Sequence, residues 1–175
     1  MIISVERAKN LIDLNGWTDE RILMKLKAIE QTIRQYTNNN FQERSCRVQA
    51  DIIKGVLKSN ARIPFDAEDT IQISESELNN GLYTVAALTS STAFFLYENV
   101  KDEAGVLVTK IKYPDDVIDC CLNLLEWEKD FRNKIGVKSE TLSRHSVTYE
   151  DSASLFNGYP IGILGGVKKY KKVRC

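Results

Sequence analysis

The sequence predicts an α+β protein: a small helical bundle with an inserted antiparallel β subdomain and an extended C-terminal tail. Three observations carry that expectation. Apolar residues recur at helical spacing over residues 18–36 and 114–135. The period switches to two between residues 67 and 113. Beyond Gly136 neither period holds, and Gly, Ser and Pro interrupt the apolar residues. The expected organisation is residues 1–136 as a helical domain carrying the β insert at about 67–113, and residues 137–175 as a tail that docks on a partner.

The long helix of residues 114–135 organises the rest. Pro114 suits the first helical position, where a missing N–H costs nothing. Asp115 and Asp116 complement the dipole in the first turn, Arg132 and Lys134 in the last, and Gly136 suits a left-handed cap. Val117, Cys121, Leu124, Phe131 and Ile135 form one apolar face, widened by Ile118, Leu122 and Leu125. Asp116, Asp119, Asn123, Glu126, Asp130 and Asn133 form the other. Leu124→Asp is therefore expected to place an unpaired charge in the core.

Taken in order, Ser4 caps a short first helix bearing Val5, Ala8, Leu11 and Ile12, which Asn15-Gly16 ends. Thr18 caps a second helix, with Ile22, Leu26, Ile29, Ile33 and Tyr36 on its buried face. Thr37-Asn38-Asn39-Asn40 stops that helix, because short polar side chains compete for its backbone. Residues 44–58 fit neither period; extended backbone over 47–49 and a short helix over 51–57 are expected. In the β insert, strands are expected at residues 70–74, 82–86, 93–97 and 106–113, with a turn at Asn79-Asn80-Gly81. In the tail, residues 141–149 read as one exposed strand with Val147 and Tyr149 on one side. Its backbone has no partner strand within the tail.

Composition narrows the function classes. Hydrophobic residues at 43% and charged residues at 27% are ordinary for a globular chain. Lys and Arg balance Asp and Glu at 24 each, so no overall cationic field marks a polyanion binder. No apolar run approaches the ~18 residues of a membrane span, and residues 1–9 lack a signal-peptide pattern; a cytosolic, membrane-free chain is expected. Cys46, Cys120, Cys121 and Cys175 make no C-x-x-C pair, and the single His145 is far from them in sequence. No nucleophile elbow, zinc motif or phosphate loop is present. No catalytic residue, metal or cofactor is expected, and the chain is read as a non-enzyme.

The candidate site is a docking surface. Tyr159, Pro160, Ile161, Ile163 and Leu164 are apolar residues in a segment too short to enclose them, with Gly158, Gly162, Gly165 and Gly166 as bends. Lys168, Lys169, Tyr170, Lys171, Lys172 and Arg174 make the end basic. That end reads in three ways: a solvated terminus, a surface that meets acidic protein, or one that meets a nucleic-acid backbone. Removal of residues 157–175 is expected to leave the fold intact.

Three stretches then carry a resemblance. They are Leu26-Lys27-Ala28-Ile29-Glu30-Gln31-Thr32-Ile33-Arg34-Gln35-Tyr36 with the stop through Phe41; Asp69-Thr70-Ile71-Gln72-Ile73 followed by Asn80-Gly81-Leu82-Tyr83-Thr84-Val85; and Arg144-His145-Ser146-Val147-Thr148-Tyr149 followed by Gly158-Tyr159-Pro160. In this order they resemble the head–tail connector (adaptor) proteins of tailed bacteriophages with long non-contractile tails. The resemblance implies a structural virion protein, assembled in the bacterial host cytoplasm as a ring of about twelve subunits, the closed form that heterologous contacts take when the rotation per subunit fits. It implies docking under the portal protein after packaging, a stopper or tail-completion protein as the next partner, and packaged DNA passing without sequence-specific contacts. The alternative is a small nucleic-acid-binding module that uses the basic C-terminal end.

Overall fold

A computed structural model describes residues 1–130, 139–142, 145–148 and 155–173. Contacts divide the chain into two units, one of Met1 with Asn40–Lys112 and one of Ile2–Asn39 with Tyr113–Cys175. The expected domain boundary after residue 136 lies outside the described residues.

The first unit is a closed barrel of six strands: β1 (Gln42–Ile53), β2 (Val56–Ser59), β3 (Thr70–Ser74), β4 (Gly81–Ser90), β5 (Ala93–Leu96) and β6 (Glu103–Ile111). The order is β1-β2-β5-β4-β3-β6, and β6 closes antiparallel onto β1. This corrects the expected fold class. The strands are not a four-stranded insert in a helical bundle but a barrel that begins at β1. Closure removes the exposed edges that an open insert would carry.

The correction has a local cause. Val48, Ala50 and Ile52 alternate inward, while the register of β1 against β6 shifts between Gln42 and Arg47 and again between Ala50 and Ile52. Such bulges break the period of two that marks a strand in sequence. The helix expected over 51–57 is a hairpin. Ile52 pairs with Leu57 and Ile53 with Val56. Lys54 and Gly55 both have positive φ, 53° and 76°, as a two-residue type I′ turn requires. Side chains fill the barrel: Ile52, Leu57, Ile71, Ile73, Val106 and Val108 meet Phe94, whose ring stands edge-on to Phe65 at 5.7 Å. An interior packed in this way is a core rather than a channel.

One carboxylate shapes the β3–β4 loop. Glu103 accepts hydrogen bonds from Ser76 Oγ (2.6 Å), the Glu77 N–H (2.6 Å), the Leu78 N–H (3.3 Å) and Asn79 Nδ2 (2.7 Å). Those donors, Ser76 first, hold its carboxyl below the ordinary glutamate value.

The second unit is helical: α1 (Val5–Leu11), α2 (Asp19–Thr37) and α3 (Asp115–Asp130). Ser4 and Thr18 cap the first two through their hydroxyls, which accept from the Arg7 and Arg21 N–H groups. The Ile118 N–H donates to the Pro114 carbonyl, so Pro114 precedes α3 rather than occupying its first position. Helices α2 and α3 pack on Ile22, Leu26, Ile29, Ile33, Val117 and Leu124, all fully buried. Two buried charges lie among these apolar residues, each with a partner. Glu128 meets Lys25 at 2.8 Å, and Glu30 accepts from the Tyr113 hydroxyl at 2.6 Å. Burial first, and the Glu30 charge second, push the Tyr113 phenol far above its ordinary range.

In place of one strand over 141–149 there are two short ones, β7 (Ser139–Leu142), which begins before that stretch, and β8 (His145–Thr148), paired antiparallel with each other. The partner strand expected to be missing is supplied by the chain itself. Two further strands, β9 (Leu155–Phe156) and β10 (Tyr159–Pro160), flank Asn157-Gly158, which has positive φ at both residues. A single turn of helix, α4 (Ile161–Leu164), and a 3-10 helix (Gly165–Tyr170) follow. Gly162, Gly165 and Gly166 thus lie in helical backbone rather than at bends.

Candidate docking surface

Residues 155–173 are held by α2 and α3 through contacts spread along their length. The Phe156 ring stands edge-on to Tyr36 at 5.3 Å, and Asn157 Nδ2 donates to Gln35 Oε1 at 2.7 Å. Tyr159 lies 6.0 Å from the Trp127 ring. The Cys120 thiol reaches the Ile163 carbonyl at 3.6 Å, and burial pushes that thiol up to about 11.

The helix stop of α2 has a second use. Asn38 takes the left-handed cap at φ 47°, and its Nδ2 donates to the Lys172 carbonyl at 3.2 Å. Asn39 Nδ2 donates to the Tyr170 carbonyl at 3.1 Å, and the Lys172 N–H donates to the Thr37 carbonyl at 2.8 Å. The asparagines that end α2 therefore also fix the C-terminal backbone. The sequence shows the stop but not the grip, since the partners lie 131 and 134 residues away.

The expected docking residues divide by burial. Tyr159, Pro160 and Leu164 are buried within the helical unit, together with Val167, which sequence reading passed over. Ile163 and Tyr170 are half-buried. Ile161, at 40% exposure, is open, as are Lys168, Lys169, Lys171 and Lys172. Val147 lies in β8, in register with Glu140. Tyr149 and Arg174 lie outside the described residues. The segment is amphipathic in effect: its apolar residues are anchored inward, and lysines and Ile161 are presented outward.

Beside it runs a groove of about 630 Å³, bounded by the polar face of α3 and by Gly162, Ile163 and Gly166. Asp116, Asp119, Glu126 and Asp130 line the α3 side, and Trp127 and Cys120 lie between the two walls. At one end Asp116 accepts from the Tyr170 hydroxyl at 2.9 Å and forms an ion pair with Lys169. The Lys169 ammonium, then the Tyr170 hydroxyl, hold the Asp116 carboxyl below its ordinary value; Asp116 in turn raises Lys169. Among the described residues no group of three or more His, Cys, Asp or Glu is placed to hold a metal ion. No described helix is long and apolar enough to cross a membrane.

A further exposed feature escaped the sequence. On the barrel exterior Ile53 pairs with Val56, Val56 with Phe95, and Phe95 with Ala87, which places four apolar residues in one row across four strands. The register, which the sequence does not display, makes that row.

Fold and surface together define a two-unit protein, a filled barrel and a helical unit whose C-terminal segment carries opposite charges side by side. Compared with known proteins, the chain matches no family model and no curated sequence.

Proposed function

We propose that this chain is a non-enzymatic structural subunit of a bacteriophage head–tail connector. In this reading copies form a ring of roughly twelve under the portal, as heterologous contacts that close on themselves allow. The ring extends the DNA path towards a stopper or tail-completion protein, in virions assembled in the host cytoplasm. The resemblance of the three sequence stretches suggests the class. The observation that carries it is the construction of residues 155–173, in which Tyr159, Leu164 and Val167 anchor the segment while Ile161 (40% exposed) and Val173 (88% exposed) remain open. An anchored segment that keeps apolar side chains in water is suited to a protein partner, and rigid presentation lowers the ordering cost of binding.

The test mixes the purified chain with DNA-filled, portal-bearing heads of the same source and images the product. Rings seated on the portal are expected. Ile161→Asp and Val173→Asp are expected to abolish attachment while the melting temperature stays put. Attachment should persist in salt, because apolar docking is not screened. Binding to free DNA that falls steeply with salt would instead support the nucleic-acid-binding module and refute the connector.

A further inference from the structure

The polar face of α3 is a regular acidic stripe. Asp116, Asp119, Asn123, Glu126 and Asp130 follow one another at alternating spacings of three and four. They fall on one side of the helix over about 21 Å of its length. Carboxylates at such spacings repel each other and weaken the helix unless a cation lies between them. Among the described residues, the cation on this stripe is Lys169, at its Asp116 end. Asp119 accepts from the Asn123 amide at 3.1 Å, and among the described residues Glu126 and Asp130 have no ion pair. The groove along the stripe is wide enough for several side chains and has Trp127 in its lining, an aromatic surface over which an ammonium is attracted.

The same unit bears the opposite surface. Lys168, Lys171 and Lys172 are exposed around the C-terminal segment. Lys171 sits 3.9 Å over the Tyr36 ring, and among the described residues Lys168 and Lys172 have no ion pair. The Lys172 backbone is fixed at the end of α2 by its bonds to Thr37 and Asn38, so this basic ledge is preorganised. Lys169 on Asp116 is already, within one chain, the contact that a second lysine would repeat further along the groove.

We infer that the acidic groove along α3 receives the Lys168–Lys172 ledge of a second copy of this chain. The inference rests on the ring reading above and names the surfaces that meet in it. The two patches differ, so the contact is heterologous: each copy uses its groove on one neighbour and its ledge on the other, and repetition gives a ring or an open helix. Nucleic acid is the wrong occupant for the groove, since its phosphates would face the carboxylates. Ion pairs at an exposed surface are individually weak and are screened by salt. Association should therefore be loose in solution and complete only when a templating partner concentrates the copies.

The test is a paired charge reversal read by analytical ultracentrifugation at about 0.05 M and about 0.5 M salt, where the screening length falls from above 10 Å to below it. One variant is Glu126→Lys with Asp130→Lys, the other Lys168→Glu with Lys172→Glu. All four positions are exposed, so circular dichroism and melting temperature should match the unaltered chain. The unaltered chain is expected to form higher species at low salt and monomer at high salt. Each variant alone is expected to stay monomeric, its dissociation constant raised about tenfold or more. An equimolar mixture should regain higher species, because the native pair of surfaces and the reversed pair are both complementary. Assembly of either variant as in the unaltered chain overturns the inference. So does a mixture that remains monomeric, or an unaltered chain that is monomeric at low salt and about millimolar concentration. The head-attachment assay reads Ile161 and Val173 instead. An unaltered chain that assembles but does not attach to heads would refute the connector and leave this contact; one that attaches while its groove and ledge variants assemble unchanged would leave the connector and refute the contact.

Discussion

Leu164→Ala is the sharpest probe of the helical unit. Leu164 lies in the single turn α4 and is fully buried, while Ile161, in the same turn, is 40% exposed. Truncation of a buried leucine to alanine removes its transfer free energy and leaves a cavity, at a cost of about 2–5 kcal/mol. That is a large share of the roughly 5–15 kcal/mol that holds a domain folded. At about 2–4 °C per kcal/mol for a chain of this size, the melting temperature should fall by about 4–20 °C. Ile161→Ala should cost less than about 1 kcal/mol, because much of its side chain is already in water. Tryptophan fluorescence is the right reporter, since Trp17 and Trp127 both belong to the helical unit and the barrel unit has none. If the two variants melt alike, or Leu164→Ala melts as the unaltered chain, the C-terminal segment is not part of the core. The same reasoning reverses the expectation for the truncated chain. Deletion of residues 157–175 strips Tyr159, Leu164 and Val167 from the unit. At about 1.5–3 kcal/mol each, that is about 4.5–9 kcal/mol of burial, comparable with the whole stability.

Two further outcomes follow from titratable groups. The Glu103 carboxyl is depressed in the folded barrel by the donors of the β3–β4 loop. Its contribution is therefore present above the unfolded glutamate value and is lost as pH falls through the lower folded value. Urea titrations of the unaltered chain should show stability dropping in the acid range, and Glu103→Gln should flatten part of that slope; an unchanged slope would remove Glu103 from the account. Burial raises the thiols of Cys120, to about 11, and Cys121, further still, whereas Cys46 is half-buried. Iodoacetamide near pH 8 should label Cys46 faster than either helical cysteine, as mass spectrometry of the digested protein can follow; equal rates would mean that α3 opens readily.

The sequence by itself determined the N-terminal caps of α1 and α2 and the buried face of α2. Ser4 and Thr18 are capping residues whose partners lie three positions on, and Ile22, Leu26, Ile29 and Ile33 mark a buried face because helical neighbours are close in sequence. It also located strands β3, β4, β5 and β6 and the turn before β4, where alternation and Asn-Gly chemistry are local signals. Tertiary structure alone decided the rest. The barrel closes through pairing of β1 with β6, about sixty residues apart, as in Arg47 Nε to Thr109 Oγ1 with a separation of 62, and bulges in β1 erase the period that would have announced it. The fate of the C-terminal segment is equally non-local. Tyr159 and Leu164 read as unenclosed apolar residues because the walls that enclose them, α2 and α3, come from distant parts of the chain. Burial is a property of those walls. A segment's own composition shows only that it has something to bury, and whether a partner or the same chain does the burying is settled by where the helices stand.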